Sequence, residues 1–203
     1  NKVVPGEILG IANGNKTRGH RFHSQGQIEL ASPAEYEVRL LNEGKVIADY
    51  AKRKEKIRAG VQEAAKAHQG VAVIDEDLLD EVTSLNEWPV PLVGQFEERF
   101  LQVPTEALIS SMKEHQKYFH MLDAQGAMKP NFITLANIES KDPQQVIEGN
   151  ERVIRPRLSD AAFFFETDKQ TKLEARGDDL KKIVFQTKLG TVYDKTERVS
   201  SEG

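Results

Sequence analysis

The chain contains no cysteine, which excludes a disulfide framework, a thiolate zinc site and a thiol nucleophile together and suits a cytoplasmic protein. It has no apolar run approaching the roughly 20 residues that a membrane helix needs. No glycine-rich phosphate loop, dinucleotide fingerprint, EF-hand loop or G-x-S-x-G elbow occurs in its 203 residues. Positive charge is not in excess either. Against 32 Asp and Glu stand 28 Lys and Arg, a formal net charge of -4, which argues against a protein that coats nucleic acid by bulk charge and leaves room only for a local basic strip. The chain opens at Asn1 with neither a methionine nor a basic-then-apolar leader, so it reads as an excised fragment.

What is present describes a soluble globular chain, 38% hydrophobic and 30% charged, long enough to bury roughly 70% of its unfolded surface. Its charge is uneven. Lys52 to Arg58 is a basic run interrupted by Glu55, and Asp75 to Glu81 is an acidic one. The first is expected as the solvated face of a helix and the second as a hydrated helix start.

The stretch Gly149 to Phe165 sets Arg152, Arg155 and Arg157 around Pro156 and against Phe163-Phe164-Phe165. Proline disfavours the α region at the residue before it, which predicts a helix boundary or kink at Arg155. The phenylalanines are expected to anchor this corner in a core, with the arginines along its rim. Guanidinium forks so placed suit phosphate or carboxylate recognition. The alternative is structural: Glu151, Asp160 and Glu166 are at hand as ion-pair partners.

Turn and capping signals divide the rest. Glu7 to Ala12 and Arg18 to His23 read as a hairpin turning at Asn13-Gly14, with Phe22 on its buried face and Arg18 and Arg21 exposed. His20 and His23 would then face opposite sides of a strand and share no metal ion. Ser32-Pro33-Ala34-Glu35 opens a helix that Gly44 closes, Asp49 caps a helix from about Tyr50 to His68, and Asp75 caps another. Pro89 and Pro91 allow Val90 to Phe96 an edge strand at most. Thr105 to Lys113 is helical, Gln116 to Leu122 and Asn131 to Ile138 are strands joined at Asp123 to Gly126, and Asp142-Pro143 starts a further helix. Gln116-Lys117-Tyr118-Phe119 combines donors with aromatic faces, a mixture compatible with RNA contact at Lys117. The fold class expected is α+β, in a mixed α/β arrangement: a β-hairpin-rich sheet core with flanking helices. Residues 1–190 form one domain with a helical subdomain at about 32–86, and 191–203 begin the next.

The phrase GNERVIRPRLSDAAFFFETD closely resembles a stretch of the beta subunit of the bacterial heterotetrameric glycyl-tRNA synthetase. TRGHRFH at Thr17 to His23, EVTSLNEWP at Glu81 to Pro89, FLQVPTEALI from Phe100, MKEHQKYF at Met112 to Phe119, PNFITLANIESKDP from Pro130 and LGTVYDKTERV near the end resemble the same family in the same order. The resemblance implies a central domain similar to the editing-type domain of the phenylalanyl-tRNA synthetase beta subunit, followed by a helical HD-type domain. It also implies a non-catalytic segment of a glycine–tRNA ligase. Chemistry, with its ATP and magnesium, would reside on the alpha subunit of an alpha2beta2 tetramer, and this fragment would be inactive alone. Its partners would be the alpha subunit and tRNA(Gly), with neither membrane nor DNA. On that basis Arg18, Arg21, Lys117, Arg152, Arg155 and Arg157 are the candidate RNA-binding residues, with no catalytic, cofactor or metal residue. Two other readings stand beside it: a scaffold whose arginines serve only internal or subunit ion pairs, and an editing-type hydrolase of misacylated tRNA.

Overall fold

A computed structural model of the chain describes residues 3–170 and 172–201. Its first strands are short. β1 (Glu7–Ile8) and β2 (Ile11–Ala12) pair antiparallel around Leu9-Gly10, whose φ angles of 52° and 79° give the left-handed turn that matches strand twist. The hairpin thus turns before Asn13-Gly14, the dipeptide expected to do so. Asn13 is engaged elsewhere: its N–H donates to Gly6 O at 2.8 Å and its Nδ2 to Val4 O at 3.1 Å. β3 (Lys16–Thr17) pairs with β4 (Ile28–Glu29), and residues 18–27 between them form a loop in place of the expected strand.

The helix beginning after Ser32 is irregular, passing from a 3-10 turn (Pro33–Glu35) through α1 (Tyr36–Arg39) into a π turn (Leu40–Gly44). Lys45, at φ 53°, ends it in the left-handed conformation. Gly44 lies against the backbone of Gly19, which must be a glycine here: a Cβ on Gly19 would sit 2.3 Å from Gly44 Cα, whereas one on Gly44 would lie 3.2 Å from Gly19 Cα.

α2 (Tyr50–Ala67) and α3 (Glu76–Leu85) start at the expected aspartates, since Lys52 N donates to Asp49 Oδ1 at 2.9 Å and Leu78 N to Asp75 Oδ1 at 3.0 Å. Between them runs β5 (Val71–Ala72). β6 (Val90–Gln95), α4 (Thr105–Gln116), β7 (Phe119–Leu122) and β8 (Met128–Ala136) follow. The strands form one antiparallel sheet in the order β5-β7-β8-β6. β6, with Pro91 inside it, is at the edge, where a missing N–H is tolerated.

One face of this sheet carries the core. Phe119, Met121 and Ile133 pack with Ile57, Val61 and Ala65 of α2 and Leu78, Leu79 and Val82 of α3. Such apolar positions recur at helical spacing on α2 and α3 and at every second residue on β7, so one stripe and one pleat meet. The alternate residues of the strands face the other way. There Tyr118 and Phe132 stack with centroids 4.4 Å apart, and Gly94, opposite Phe132, has no room for a Cβ because the ring would lie 2.3 Å away. The Tyr118 hydroxyl donates to Asn150 Oδ1 at 2.6 Å, and Glu151 Oε1 accepts from Gln95 N at 2.9 Å.

Asn150 and Glu151 belong to α5 (Pro143–Gln170), which runs without a break through Pro156. The boundary expected there does not form. The stripe holding the helix includes Ile154 and Leu158, both fully buried, so packing on either side of the proline offsets the loss of one backbone hydrogen bond. Nor does the phenylalanine block anchor the helix as a whole: Phe163 is 66% and Phe164 63% exposed, and Phe165 is half-buried. Three consecutive helical residues spread over about 200° of the circumference, more than a helix packed along one side can bury.

The chain divides into two compact units, residues 1–158 and 159–203. In the second unit the end of α5 is followed by a 3-10 stretch (Leu173–Lys182). β9 (Val184–Gln186) pairs antiparallel with β10 (Gly190–Thr191), and α6 (Val192–Ser201) follows. Asp194 Oδ2 accepts from the Thr191 N–H at 2.7 Å and its hydroxyl at 2.8 Å, fixing the start of α6.

Candidate nucleic-acid interface

The six basic residues singled out in the sequence do not form one surface. Arg152, Arg155 and Arg157 are all exposed on α5. Helical geometry sets Arg152 and Arg155 about 60° apart around the axis and Arg157 about 160° from Arg155, so no single platform presents all three. Arg155 Nε lies 2.7 Å from Glu97 Oε1. Glu97 precedes a short 3-10 turn after β6 and is none of the acids expected as partners: Glu151 caps the β6 edge, and Glu166 pairs with Lys169 at 3.3 Å. Lys117, left-handed at φ 60° where α4 ends, lies 2.8 Å from Glu81 Oε1.

Arg18 and Arg21 sit in the 18–27 loop, where they border a concavity of about 580 Å³ together with Ser24 and Gln27. The loop is fixed from beneath by His20, which is only 2% exposed. Its Nδ1 accepts from Phe22 N at 3.2 Å and His23 N at 3.3 Å. That leaves the proton on Nε2, which donates to Asn137 O at 2.7 Å. His20 N donates in turn to Gly44 O at 2.6 Å. The His23 ring lies against that of His20, tilted by 31° with centroids 4.7 Å apart, and accepts from Glu139 N at 2.9 Å. The two rings are therefore neighbours on a turn, contrary to the expected opposite faces of a strand, and their nitrogens serve backbone groups. Phe22, expected inside, is 72% exposed.

Asn137 joins three separated segments. Its carbonyl receives His20, and its Oδ1 accepts from Glu87 N and Trp88 N, each at 2.9 Å. The Trp88 ring beside it has Lys56 Nζ at 4.9 Å and Lys45 Nζ at 5.3 Å from its centroid. No local pattern marks this hub, because its partners are brought together only by the tertiary fold.

The two charge runs also meet each other. Lys54 Nζ lies 2.6 Å from Asp80 Oδ1 and 3.3 Å from Glu76 Oε2, while Arg58 NH1 lies 2.5 Å from Glu76 Oε1. Lys52 pairs with Glu37, and the Arg53 guanidinium donates to the Thr83 and Ile47 carbonyls. The basic run is thus largely a seam between α2 and α3, where a solvated face was expected. The carboxyls respond: Glu76 is held below its ordinary range chiefly by the Arg58 hydrogen bond, and Asp80 by that of Lys54.

Among the described histidines near a hydroxyl, none makes a nucleophile pair. Ser110 Oγ donates to Glu114 Oε1 at 2.9 Å and Ser111 Oγ to Ala107 O at 2.9 Å. Burial lowers the His120 pKa against a small opposing effect of Asp75. Burial likewise pushes the Tyr118 hydroxyl up to about 12. Asp75 is held below the usual carboxylate range first by Lys113, 2.5 Å away.

Comparison with known proteins assigns the family. The family model described as "Glycyl-tRNA synthetase beta subunit" matches residues 1–202. The chain is 65% identical over 202 residues to a protein of Marinobacter nauticus named "Glycine--tRNA ligase beta subunit", covering 99% of this chain and 29% of that protein. Proteins of the same name from Hahella chejuensis and Chromohalobacter salexigens are 65% identical over 198 residues and 57% identical over 199, each with 98% of this chain and 29% of their own length covered. The chain belongs to the glycyl-tRNA synthetase beta subunit family. It spans 29% of the length of these curated relatives.

Proposed function

We propose that this chain is a non-catalytic segment of a glycine–tRNA ligase, supporting the ATP-dependent attachment of glycine to tRNA(Gly) through tRNA binding and subunit assembly. The observation that carries this reading is the family match over residues 1–202. The sequence adds support, since it offers no glycine-rich loop to cradle the phosphates of ATP. ATP and magnesium are then used by the alpha subunit of an alpha2beta2 enzyme. The chain alone is expected to give only background ATP–pyrophosphate exchange with glycine, whereas full-length beta assembled with alpha supports both exchange and charging. Exchange by the isolated chain above background would overturn the non-catalytic assignment.

A scaffold reading is favoured at two of the six candidates. Lys117 and Arg155 are each occupied by a carboxylate, so their charge is partly satisfied within the chain. If they serve only the fold, Lys117→Gln and Arg155→Gln leave tRNA affinity and its salt dependence unchanged in the complete enzyme.

A further inference from the structure

We propose that the 18–27 loop docks a single-stranded stretch of RNA, with Phe22 as the stacking platform for an unpaired base and Arg18 and Arg21 holding the flanking phosphates. This rests on the reading that the beta subunit binds tRNA, and goes beyond it by assigning the place and the mode.

Phe22 is 72% exposed although the backbone on both sides of it is fixed. Its own N–H and that of His23 end on the buried His20 ring, Ser24 N donates to His20 O at 3.0 Å, and His23 is tied to Glu139. Gly19 packs backbone to backbone on Gly44. The ring is therefore held outward on a rigid loop, and ordering it on binding costs little conformational entropy. The Arg21 guanidinium carbon lies 5.7 Å from the Phe22 centroid, so a charged plane and an aromatic plane are offered side by side. That pairing suits the faces of bases and the phosphates between them.

Lys117 and Arg155 are paired with carboxylates, and of the four candidates without such a pair among the described residues Arg18 and Arg21 share the lining of one concavity. Among the described residues neither Arg18 nor Arg21 has an ion-pair partner, and the residues bordering their concavity include no carboxylate. Ser24 and Gln27 on the same rim add neutral hydrogen-bonding groups. An overall charge of -4 requires any RNA contact to be local, as this one is. A duplex is the poorer fit, because its bases are already stacked and leave no face for Phe22.

The test uses full-length beta subunit assembled with alpha and measures tRNA(Gly) affinity against salt concentration. Phe22→Leu keeps the apolar bulk but removes the π face, and is expected to weaken binding by about 5- to 150-fold with the salt slope unchanged. Phe22→Tyr restores the affinity. The double variant Arg18→Gln/Arg21→Gln lowers the magnitude of the slope by about 0.7 for each phosphate of a single strand that it leaves without a cation. Wild-type affinity and slope in every variant, with the wild-type enzyme binding tRNA normally, would overturn the site while leaving the broader function intact. Weakening by Phe22→Leu that coincides with loss of the alpha subunit in sedimentation would make the loop a protein contact instead. A wild-type enzyme that does not bind tRNA(Gly) overturns the broader reading, and this one with it.

Discussion

Tyr118 shows how a single side chain can tie an element to the sheet and set its response to pH. The ring is buried against Phe132, and its hydroxyl donates to Asn150 on α5. Burial favours the neutral phenol and raises its pKa from 10.0 to about 12. The folded state therefore keeps a proton that the unfolded chain releases between these values. The resulting stabilisation is fully present below pH 10 and is lost as pH rises toward 12. Tyr118→Phe is expected to cost about 1 kcal/mol near pH 8 through the lost hydrogen bond. The same variant flattens the alkaline fall in stability, so the difference from wild type shrinks between pH 10 and 12. Denaturant unfolding at a series of pH values measures both effects. The sequence identified Tyr118 as one of a donor-and-aromatic group, but whether it faced RNA or a core was decided by Phe132 and Asn150, which come from other elements.

At the scale of elements, α2 and α3 are joined in two ways that respond differently to solvent. Ile57, Val61, Leu78, Leu79 and Val82 meet in the core, while Lys54 and Arg58 pair with Glu76 and Asp80 along the rim. Exposed ion pairs are weakened by salt, with a screening length of roughly 3 Å at 1 M, and buried apolar contacts are not. Glu76→Gln is therefore expected to lower the unfolding midpoint at low salt and to approach wild type at about 1 M salt. Val61→Ala should cost about 0.5–3 kcal/mol at either salt concentration, since the loss is of apolar packing. Chemical unfolding of the two variants at two salt concentrations separates the contributions. The caps at Asp49 and Asp75, the edge position of β6 and the Asp123 to Gly126 turn were legible in the sequence because each depends on residues within a turn of one another. The seam was not: charge runs identify exposed faces, and only the packing of α2 beside α3 made them complementary.

For the whole molecule, burial is concentrated in the first 158 residues. Every fully buried side chain among the described residues lies there, and no described residue from 159 onward is fully buried. Phe163, Phe164, Ile183, Val184, Phe185, Leu189 and Val199 are exposed apolar groups of the second unit. Amide exchange in this chain is accordingly expected to be slowest in α2, β7 and β8 and much faster in β9, β10 and α6, since protection follows the local density of buried apolar contacts. Equal protection in the two regions would contradict this distribution of stability.

Periodicity, capping chemistry and proline positions by themselves determined that the chain is a mixed α/β protein and where α2, α3, α4, β7 and β8 lie. Collinear motifs placed it in its family. Those signals are short in range, or are carried whole by the order of the residues. Tertiary structure alone decided that α5 continues through Pro156, because burial of Ile154 and Leu158 outweighs a proline's local preference. It likewise turned Phe22 outward while His20 went in, since one imidazole collects the backbone groups of its own loop and a carbonyl from Asn137, more than a hundred positions away.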